Sequence, residues 1–502
     1  MRRVMNRTRA TGFTATVPSM AMLSMALLAA LLCCIPSVLH ADNAPRPNVL
    51  FIAVDDLNDW IEGLSGHPQS RTPNLNRLAR KGVLFTNAHT AAPACNPSRA
   101  ALMTGIPPYR SGVYHNSQPW RPALPEAETI PQTFRKFGYW VAGSGKIFHG
   151  RFPDPRSWDE YAPSKTQQKF PDPRPPKLNL NGLKRAHFDW GPLSGVSDSA
   201  MGDAKTADWI CGQLGRKHDR PFFLACGFYR PHLPWYVPEP HFKKFPLPSV
   251  KLPDVKENDL EDIPRAGRRI ANPGGDHRAV VAGGQWKQGV QGYLASIAFV
   301  DRQIGRVLDA LERGPNAGNT IVVLWSDHGW HLGEKEHWRK FTLWEEATRV
   351  PLVFIVPKGL PSLAAGTPAG KRCAAPASLM DLYPTLLELC GLPAKDGIAG
   401  LSLVPWLKDP ASDRAAPVVT THGRGNHAVR DARWRYIRYA DGSEELYDHE
   451  RDPNEWTNLA GDSKYASMKE RLAKWLPKEN APDAERVRPR KKKKRARPKR
   501  RA

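Results

Sequence analysis

Two uninterrupted apolar runs, each ending in acidic residues, dominate the hydrophobic pattern of the chain. Residues 48–54 (NVLFIAV) run directly into Asp55 and Asp56, and residues 320–325 (TIVVLW) are followed by a Ser-Asp-His-Gly sequence. Strands that are apolar on both faces are typical of parallel sheets covered by helices, where ligands collect at the carboxyl ends of the strands. The pattern therefore predicts two central strands that bring carboxylates to one sheet edge.

Segments with helical spacing of apolar residues separate these strands. The spacing predicts helices at residues 72–82, 129–138 and 293–313. Strands that alternate with helices favour an α/β sandwich with a mostly parallel central sheet. Two proline-rich stretches, residues 153–176 and 231–273, interrupt the alternation and predict long loops.

The pattern changes near residue 410, where short alternating runs and an Asp441-Gly442 turn signal predict an antiparallel sheet. We therefore predict a large α/β domain over residues 42–410 and a smaller C-terminal α+β domain over residues 411–480. The predicted C-terminal strands and the helix that follows them cover residues 417–421, 434–439, 444–447 and 464–476.

The first 41 residues have the pattern of a secretory signal. Four arginines precede an apolar run at residues 20–35, and a polar stretch begins near residue 41. This order predicts a signal peptide over residues 1–41 and a secreted or periplasmic protein, with an uncleaved membrane anchor as the alternative. No later run reaches the ~18 uncharged apolar residues of a transmembrane helix, so we predict no transmembrane domain in the mature chain.

Most of the formal net charge of +24 lies at the two ends of the chain. Twelve basic residues and no acidic ones occur between Arg486 and Arg501. Without them and the four N-terminal arginines, about +8 remains. Residues 481–502 are therefore predicted to form a disordered basic tail. The tail is either a solubilising or surface-binding extension or an electrostatic tether to a polyanion such as sulfated polysaccharide or nucleic acid.

One of the seven cysteines lies in a sequence typical of a reactive site. Cys95 is followed by Pro97, which suits a first helical turn, and Gly105 ends the predicted helix. The cysteine is thus expected at a helix N-terminus, where backbone N–H groups favour negative charge. The other cysteines outside the signal segment match no recognisable disulfide spacing, and we predict at most one disulfide among them.

The acidic residues at the two strand ends form the second chemical feature. Asp55, Asp56 and Asp327 are three carboxylates expected at one sheet edge, where their mutual repulsion is costly unless a cation neutralises it. The sequence therefore predicts a hard divalent metal at this edge.

Together these features resemble the type I sulfatase family. Residues 95–99 match its C-x-P-S-R signature, residues 145–149 its G-K-x-x-H segment, and residues 230–234 its second histidine loop. Residues 326–340 resemble the segment that ends in the sulfate-binding lysine of the family. The resemblance extends over residues 48–460.

The resemblance implies an alkaline-phosphatase-like α/β sandwich and a modified nucleophile. In this family a formylglycine-generating enzyme converts the matching cysteine to formylglycine, and a hydroxyl of the hydrated aldehyde attacks the substrate. The family also binds one calcium ion, at which His328 stands where many members carry Asn. The implied metal ligands are Asp55, Asp56, the formylglycine derived from Cys95, Asp327 and His328.

The resemblance also implies a role for each remaining residue. With the metal, Arg99, Lys146 and Lys340 would hold the sulfate of the ester. His232 would protonate the departing sugar oxygen. His149 would deprotonate the second hydroxyl, which eliminates sulfate and restores the aldehyde. The implied catalytic set is Cys95, Arg99, Lys146, His149, His232 and Lys340.

The expected reaction is hydrolysis of a sulfate ester on a sulfated carbohydrate. The Lys146 to His149 segment and the Asp327 to Trp330 segment are most similar to the iduronate-2-sulfatase branch, which implies exo-removal of a 2-O-sulfate from a uronic acid. Two alternatives stay open: hydrolysis of another sulfate, phosphate or phosphonate monoester, and a non-catalytic protein that binds polyanions through its tail.

Overall fold

The computed structural model describes residues 11–12, 46–185 and 187–487. Nearly all of the predicted signal peptide, and residues 488–502 of the predicted basic tail, lie outside the described residues. The strands are, in chain order, β1 (Asn48–Asp55), β2 (Val83–Phe85), β3 (Ala88–His89), β4 (Trp140–Gly145), β5 (Glu160–Ala162), β6 (Trp190–Leu193), β7 (Phe222–Pro231), β8 (Trp235–Pro238), β9 (Thr320–Ser326), β10 (His331–Leu332), β11 (Trp338–Arg339), β12 (Leu352–Ile355), β13 (Lys371–Cys373), β14 (Ala377–Ser378), β15 (Val418–Thr421), β16 (His427–Arg430), β17 (Trp434–Arg438) and β18 (Glu444–Asp448).

The α-helices intervene between these strands. In chain order they are α1 (Pro73–Lys81), α2 (Cys95–Thr104), α3 (Pro108–Ser111), α4 (Trp120–Ala123), α5 (Ile130–Lys136), α6 (Gly202–Leu214), α7 (Glu239–Lys243), α8 (Arg265–Ala271), α9 (Asp276–Ala282), α10 (Trp286–Arg313), α11 (Glu345–Thr348), α12 (Leu382–Leu389), α13 (Val404–Lys408) and α14 (Ala466–Ala473).

A mostly parallel sheet of eight strands lies at the centre of the described chain, in the order β13-β2-β12-β9-β1-β7-β4-β5. β1 pairs in parallel with β7 on one side and β9 on the other. β12 runs antiparallel to both β9 and β2. The two strands predicted to carry the acids are therefore direct neighbours, and the predicted α/β fold class is confirmed.

Alternate residues of β1 enter two different hydrophobic cores, which explains why the strand is apolar throughout. Leu50 and Ile52 pack with helices α6 and α10, whereas Val49 and Phe51 pack with α2, α5 and α12. Successive side chains of a strand point to opposite faces, so both faces of this sheet are covered.

Helix α10 begins at Trp286, seven residues before the predicted start at residue 293. Its first turns contain Gly289 and Gly292, which interrupt the apolar periodicity of the sequence. A Cβ atom at Gly289 would lie 2.7 Å from the Trp338 ring, and one at Gly292 would lie 3.0 Å from Trp190. Close packing against tryptophan rings therefore requires these glycines. Because they stand where apolar residues would continue the helical spacing, the sequence does not indicate the first turns of α10.

The C-terminal sheet has the order β15-β16-β17-β18 and is antiparallel throughout. Three of its strands were predicted. The fourth, β16, was missed because its sequence, His-Ala-Val-Arg, has only two apolar residues. From Arg46 onward the chain forms one compact unit that includes this sheet.

Two segments that the sequence predicts to be loop or tail contain ordered structure. The proline-rich region 231–273 contains β8, α7 and α8, so it is partly structured. The first residues of the predicted tail, 481–487, make backbone hydrogen bonds to Tyr109, Gly112 and Ser117. None of the helices in the described ranges is both long and apolar enough to cross a membrane.

Candidate active site

The carboxylates of the two strand ends meet as predicted. Asp55 is the last residue of β1, and Asp327 follows β9. The backbone N–H of Asp56 donates to Asp327 Oδ1 at 3.1 Å. All three aspartates are completely buried, so their charges require nearby cations.

A tight turn orients Asp56. Its φ of 62° lies in the left-handed region, which is rare for non-glycine residues and is maintained by surrounding contacts. The Tyr293 hydroxyl donates to the Asp56 carbonyl at 2.7 Å, and the Leu57 N–H donates to Ser326 Oγ at 3.0 Å. The sequence analysis did not single out Tyr293, because no local pattern reveals a contact between residues so far apart in the chain.

Helix α2 carries Cys95 in its first turn, as the sequence predicts. Ala94 is the N-cap residue, and the helix ends at Gly105, which is left-handed with a φ of 72°. Every residue of this helix is buried. Ser98 Oγ donates to the Asp327 carbonyl at 2.6 Å, which ties the helix to the end of β9.

Cations and acids surround the Cys95 sulfur. Lys340 Nζ lies 3.1 Å from it, His328 Nε2 3.3 Å and Lys146 Nζ 3.6 Å. Burial raises the pKa of the thiol to about 12, although Lys146 and Lys340 oppose the shift. An unmodified Cys95 is therefore a neutral thiol at pH 7, and the thiolate is the nucleophilic form of cysteine.

Arg99 connects the carboxylates rather than facing an open space. Its guanidinium donates to Asp327 Oδ2 at 2.8 Å, to Asp55 Oδ1 at 3.1 Å, and to the carbonyl oxygens of Lys146 and Ile147 at 2.6 and 3.0 Å. The side chain is fully buried. Nε, NH1 and NH2 each have a protein partner, and the guanidinium links Asp55 to Asp327. The expectation that Arg99 also binds the sulfate stays a prediction.

Lys146 and Lys340 each contact one aspartate of the pair. Lys146 Nζ donates to Asp55 Oδ2, and Lys340 Nζ donates to Asp56 Oδ1 at 2.6 Å. Burial opposes ionisation of Asp55, but the positive charges around it, led by Lys146, hold its pKa well below the usual value. Both ammonium groups therefore lie near the Cys95 sulfur, each beside a different aspartate.

The two predicted histidines lie at the ends of other strands of the same sheet. His149 follows β4, and His232 follows β7. Burial and the charge of Lys146 lower the pKa of His149 to about 2, and they also hold the pKa of His232 well below its usual value. The His232 side chain is 35% exposed and its Nε2 lies 4.0 Å from Asp56 Oδ2, so it faces both the acids and solvent.

The carboxylate of Asp203 fixes the backbone that leads to His232. It accepts hydrogen bonds from the N–H groups of Tyr229 and Arg230, each at 2.8 Å. Asp203 lies in helix α6, which the sequence analysis did not predict. The histidine segment is thus held from the opposite side by a buried acid.

The predicted ligands fit a divalent cation. Donor atoms of Asp55, Asp56, Cys95, Asp327 and His328 all lie within 4.8 Å of one another. Asp56 Oδ2 is buried and has no hydrogen-bond partner among the described residues. His328 Nδ1 lies 3.0 Å from the Gly329 carbonyl, which can only accept, so Nε2 is left to face the acids. Three carboxylates with one imidazole favour a hard cation over zinc.

The four other cysteines of the described residues take no part in this site. Cys211, Cys226, Cys373 and Cys390 are free thiols, and the described residues contain no disulfide. This agrees with the prediction of at most one pair.

Comparison with known proteins gives matches along most of the chain. A family model described as Sulfatase matches residues 47–392, and one described as N-sulphoglucosamine sulphohydrolase, C-terminal, matches residues 333–481. A sulfatase of Formosa agariphila is 41% identical over 453 residues, which cover 87% of each chain. Iduronate 2-sulfatase of Mus musculus is 32% identical over 386 residues, or 69% of each chain. A Delta 4,5-hexuronate-2-O-sulfatase of Bacteroides thetaiotaomicron is 29% identical over 446 residues, covering 84% of this chain and 86% of the relative.

Solved structures share the fold. A protein in complex with D-glucosamine-2-N,6-O-disulfate superposes with a TM-score of 0.69 at 21% identity, covering 86% of this chain and 97% of the other. A 2-O GAG sulfatase gives a TM-score of 0.66 at 24% identity, with 86% and 90% covered.

Proposed function

This chain belongs to the sulfatase family, and from that premise we propose that it removes a 2-O-sulfate from a terminal uronic acid of a sulfated glycan, using a formylglycine made from Cys95. Sulfate ester hydrolysis is the activity of the family. The position of the sulfate and the sugar are the parts of the proposal that need testing.

The contacts of Cys95 carry the proposal. Its sulfur lies 3.1 Å from Lys340 Nζ and 3.6 Å from Lys146 Nζ, beside three buried carboxylates. Two cations this close to the sulfur favour a negatively charged substrate group such as a sulfate ester. The uronate assignment is supported by the iduronate 2-sulfatase and Delta 4,5-hexuronate-2-O-sulfatase among the relatives.

In the proposed reaction a hydroxyl of hydrated formylglycine gives its proton to the adjacent Asp56 carboxylate as its oxygen forms a bond to sulfur, and the bond from sulfur to the sugar oxygen breaks. Lys146 and Lys340 bind the sulfate oxygens, and His232 gives its proton to the departing sugar oxygen. One electrostatic donor supplies only about 3–4 kcal/mol of barrier lowering, so several cations are required. His149 takes the proton of the second hydroxyl, which expels sulfate and regenerates the aldehyde.

Protonation of His232 depends on the substrate in this proposal. Burial and Lys146 favour its neutral form, whereas an anionic ester beside the imidazole favours the charged form. His232 Nδ1 lies 2.6 Å from the Leu233 carbonyl and therefore donates to it. Nε2 is left to carry the transferable proton.

We propose one calcium ion at Asp55, Asp56, Asp327, His328 and the formylglycine oxygen. A cation there polarises the sulfate and lowers the charge that the nucleophile meets. Maturation would need a formylglycine-generating enzyme, and export would follow from the signal pattern at residues 1–41.

The first test is the mass of the tryptic peptide of residues 82–99 from protein made in a host that has the modifying enzyme. We expect the mass of an aldehyde in place of the thiol. An unmodified cysteine in active protein would overturn the formylglycine mechanism.

A second test compares substrates that carry the same alcohol as a sulfate ester and as a phosphate ester. We expect faster sulfate release, and 2-O-sulfated unsaturated uronides to be preferred over 6-O-sulfated sugars. Faster phosphate release would favour the phosphoesterase alternative. A Cys95→Ala variant that keeps full biological function while removal of residues 488–502 abolishes it would favour the polyanion-binding alternative.

A further inference from the structure

A cavity of about 920 Å³ adjoins the segment that carries His232. Arg230 and Pro234, which flank His232 in sequence, form part of its wall together with Tyr236. The other lining residues belong to the segment from Gln167 to Asp189. This volume lies in the range of small-molecule binding sites, about 300–1,000 Å³. The cavity is therefore large enough for a sugar unit next to the reacting one.

The walls of the cavity are anchored to the catalytic segments. Gln168 Oε1 accepts a hydrogen bond from the N–H of Phe148 at 3.0 Å, beside His149. Asp172 forms an ion pair with Arg230 at 3.2 Å. A ligand in the cavity would thus contact loops that are fixed to both histidine segments.

One aromatic ring lies close both to the cavity wall and to a lysine beside Cys95. Lys146 Nζ lies 5.4 Å from the centroid of the Tyr229 ring, and Lys169 Nζ of the cavity wall lies 4.8 Å from the same centroid. Lys146 Nζ also lies 3.6 Å from the Cys95 sulfur, so the cavity wall and the nucleophile position have neighbours in common.

The cavity has an excess of positive charge. Of its two acidic lining residues, Asp172 is already paired with Lys169 at 2.8 Å and with Arg230. Asp189 accepts hydrogen bonds from the N–H groups of Leu180 and Asn181 at 3.0 and 2.9 Å. Among the basic lining residues, Arg185 is paired with Asp276 at 3.0 Å. Arg174 and Lys184 are exposed lining residues. Within residues 46–185 and 187–487 neither side chain has a carboxylate partner, so both are available to an anionic ligand.

The rest of the lining suits a sugar ring. Phe170, Leu178 and Tyr236 offer apolar and aromatic surface, and Leu178 is 60% exposed. Lys184 has a left-handed φ of 53°, and its N–H donates to Asn179 Oδ1 at 2.6 Å. The loop is therefore braced internally with its lysine at the cavity.

We propose that this cavity is a second subsite, which binds the sugar next to the reacting uronic acid and recognises a sulfate or carboxylate on it through Arg174 and Lys184. This inference rests on the proposed function. It adds that the preferred substrate carries a second acidic group on the neighbouring sugar.

The test uses Cys95→Ala protein, which binds without turnover, and calorimetry with two disaccharides. In both, a 2-O-sulfated unsaturated uronate is linked to glucosamine, which is N-sulfated in one and N-acetylated in the other. We expect the N-sulfated disaccharide to bind about tenfold more tightly, as one charge-assisted contact allows. Adding Arg174→Gln and Lys184→Gln should abolish that preference. The matched control, Lys177→Gln, changes an exposed lysine of the same loop that does not line the cavity.

Equal affinities for the two disaccharides, a preference that survives the double substitution, or no binding of either disaccharide would overturn the subsite. A small aryl sulfate, which is too short to reach the cavity, distinguishes failure of the subsite from failure of the proposed function. Enzyme that keeps Cys95 and carries Arg174→Gln and Lys184→Gln should hydrolyse the aryl sulfate as fast as the unsubstituted enzyme. If formylglycine-containing enzyme released no sulfate from the aryl or the disaccharide substrates, the proposed function itself would be wrong.

Discussion

Arg99 illustrates how a motif residue can support a site through the groups that it holds in place. It is buried, and three carbonyl and carboxylate groups of other strands and loops receive its N–H groups alongside Asp55. A planar guanidinium can donate N–H groups to all of these acceptors simultaneously, whereas a lysine ammonium cannot reach all of them. We therefore expect Arg99 to hold Asp55 and Asp327 in place.

Replacing Arg99 by lysine tests this role. We expect Arg99→Lys to weaken calcium affinity and kcat/KM by about 10- to 100-fold, the usual effect of losing a group that orients metal ligands. Calcium titration of the chelator-treated enzyme measures the affinity, and Arg110→Lys, on an exposed part of α3, is the control. An unchanged calcium affinity with a raised KM would instead assign Arg99 to the sulfate.

The donor set around Asp56 predicts which metal restores activity. Three carboxylates and one imidazole resemble oxygen-rich sites more than the nitrogen and sulfur sites of zinc. We expect chelation to abolish sulfate release and calcium to restore it better than zinc. The measurement is activity after dialysis against each metal, and His328→Asn should retain the calcium response because an amide oxygen replaces the imidazole. Rescue by zinc alone would contradict the assignment.

At the scale of elements, the close pairing of β4 with β7 fixes the Lys146 segment. Lys146 N–H donates to the Gly227 carbonyl at 2.8 Å. A Cβ atom at Gly227 would lie 2.4 Å from the Lys146 carbonyl oxygen, a distance that cannot be accommodated without movement of the backbone. Glycine at position 227 thus allows β7 to approach the backbone of Lys146.

Gly227→Ala is expected to damage activity more than stability. Overpacking of this kind costs about 1–3 kcal/mol, and a shift of Lys146 by about 1 Å would lower kcat/KM by about 100-fold. Urea unfolding and kinetics measure the two effects. Gly212→Ala is the matched control, because a Cβ there meets nothing within 4 Å and should stabilise helix α6 by about 0.5–1 kcal/mol. Normal kinetics for Gly227→Ala would show that the strand spacing is not critical.

The elements that could be predicted are those whose signal is local. The apolar runs of β1 and β9 and the Pro97 and Gly105 boundaries of α2 each lie within a few residues, and the structure confirms them. The antiparallel insertion of β12, the support of Asp56 by Tyr293 and the cavity beside His232 depend on contacts between distant segments. No single sequence pattern records such contacts, so only the structure reveals them.

At the scale of the whole molecule, an ion-pair network joins the α11 helix to the C-terminal sheet. Arg435 of β17 is fully buried and pairs with Glu345 and with Glu455, the latter at 2.5 Å. His449 lies 3.0 Å from Glu455. The predicted boundary at residue 410 stays a prediction from composition, but this buried network couples the two sides of it energetically.

Arg435→Met should therefore destabilise the whole chain in one transition. Removing one partner of a buried ion pair costs about 3–5 kcal/mol. Burial opposes ionisation of Glu345, but Arg430, His449 and Arg435 hold its pKa well below the usual value. The Glu345 ion pairs therefore contribute their full stabilisation above ~4.3, the pKa of a glutamate in the unfolded chain. This contribution is lost as the pH falls through the lower pKa of Glu345 in the folded chain.

Urea unfolding of this variant at pH 7 and pH 4 measures both effects. The stability gap between unsubstituted protein and Arg435→Met should be largest at pH 7 and should narrow toward pH 4. For the control Arg438→Met, on the exposed side of the same strand, the free energy of unfolding should differ little from that of unsubstituted protein at either pH. A gap that widens on acidification, or two separate unfolding transitions, would contradict the network.

Residues 481–484, at the start of the predicted tail, are connected by hydrogen bonds to the start of α2. Tyr114 Oη donates to the Ala481 carbonyl at 2.9 Å, and Gln118 Nε2 donates to the Ala484 carbonyl at 2.8 Å. The Gln118 carbonyl in turn accepts a hydrogen bond from Asn96 Nδ2 at 2.7 Å, next to Cys95. The first residues of the predicted tail, 481–484, are therefore part of the support of the active site.

Two truncations separate this support from the charge of the tail. Ending the chain after Val487 removes eleven basic residues and leaves these hydrogen bonds in place. Hydrolysis of a small aryl sulfate should then be unchanged, while kcat/KM on a sulfated polymer falls and loses much of its salt dependence, because the long-range attraction is gone. Ending the chain after Asn480 should also lower aryl sulfate turnover, since Gln118 and Tyr114 lose their partners. Equal salt dependence of the full-length and Val487-terminated proteins on the polymer would assign the tail to solubility alone.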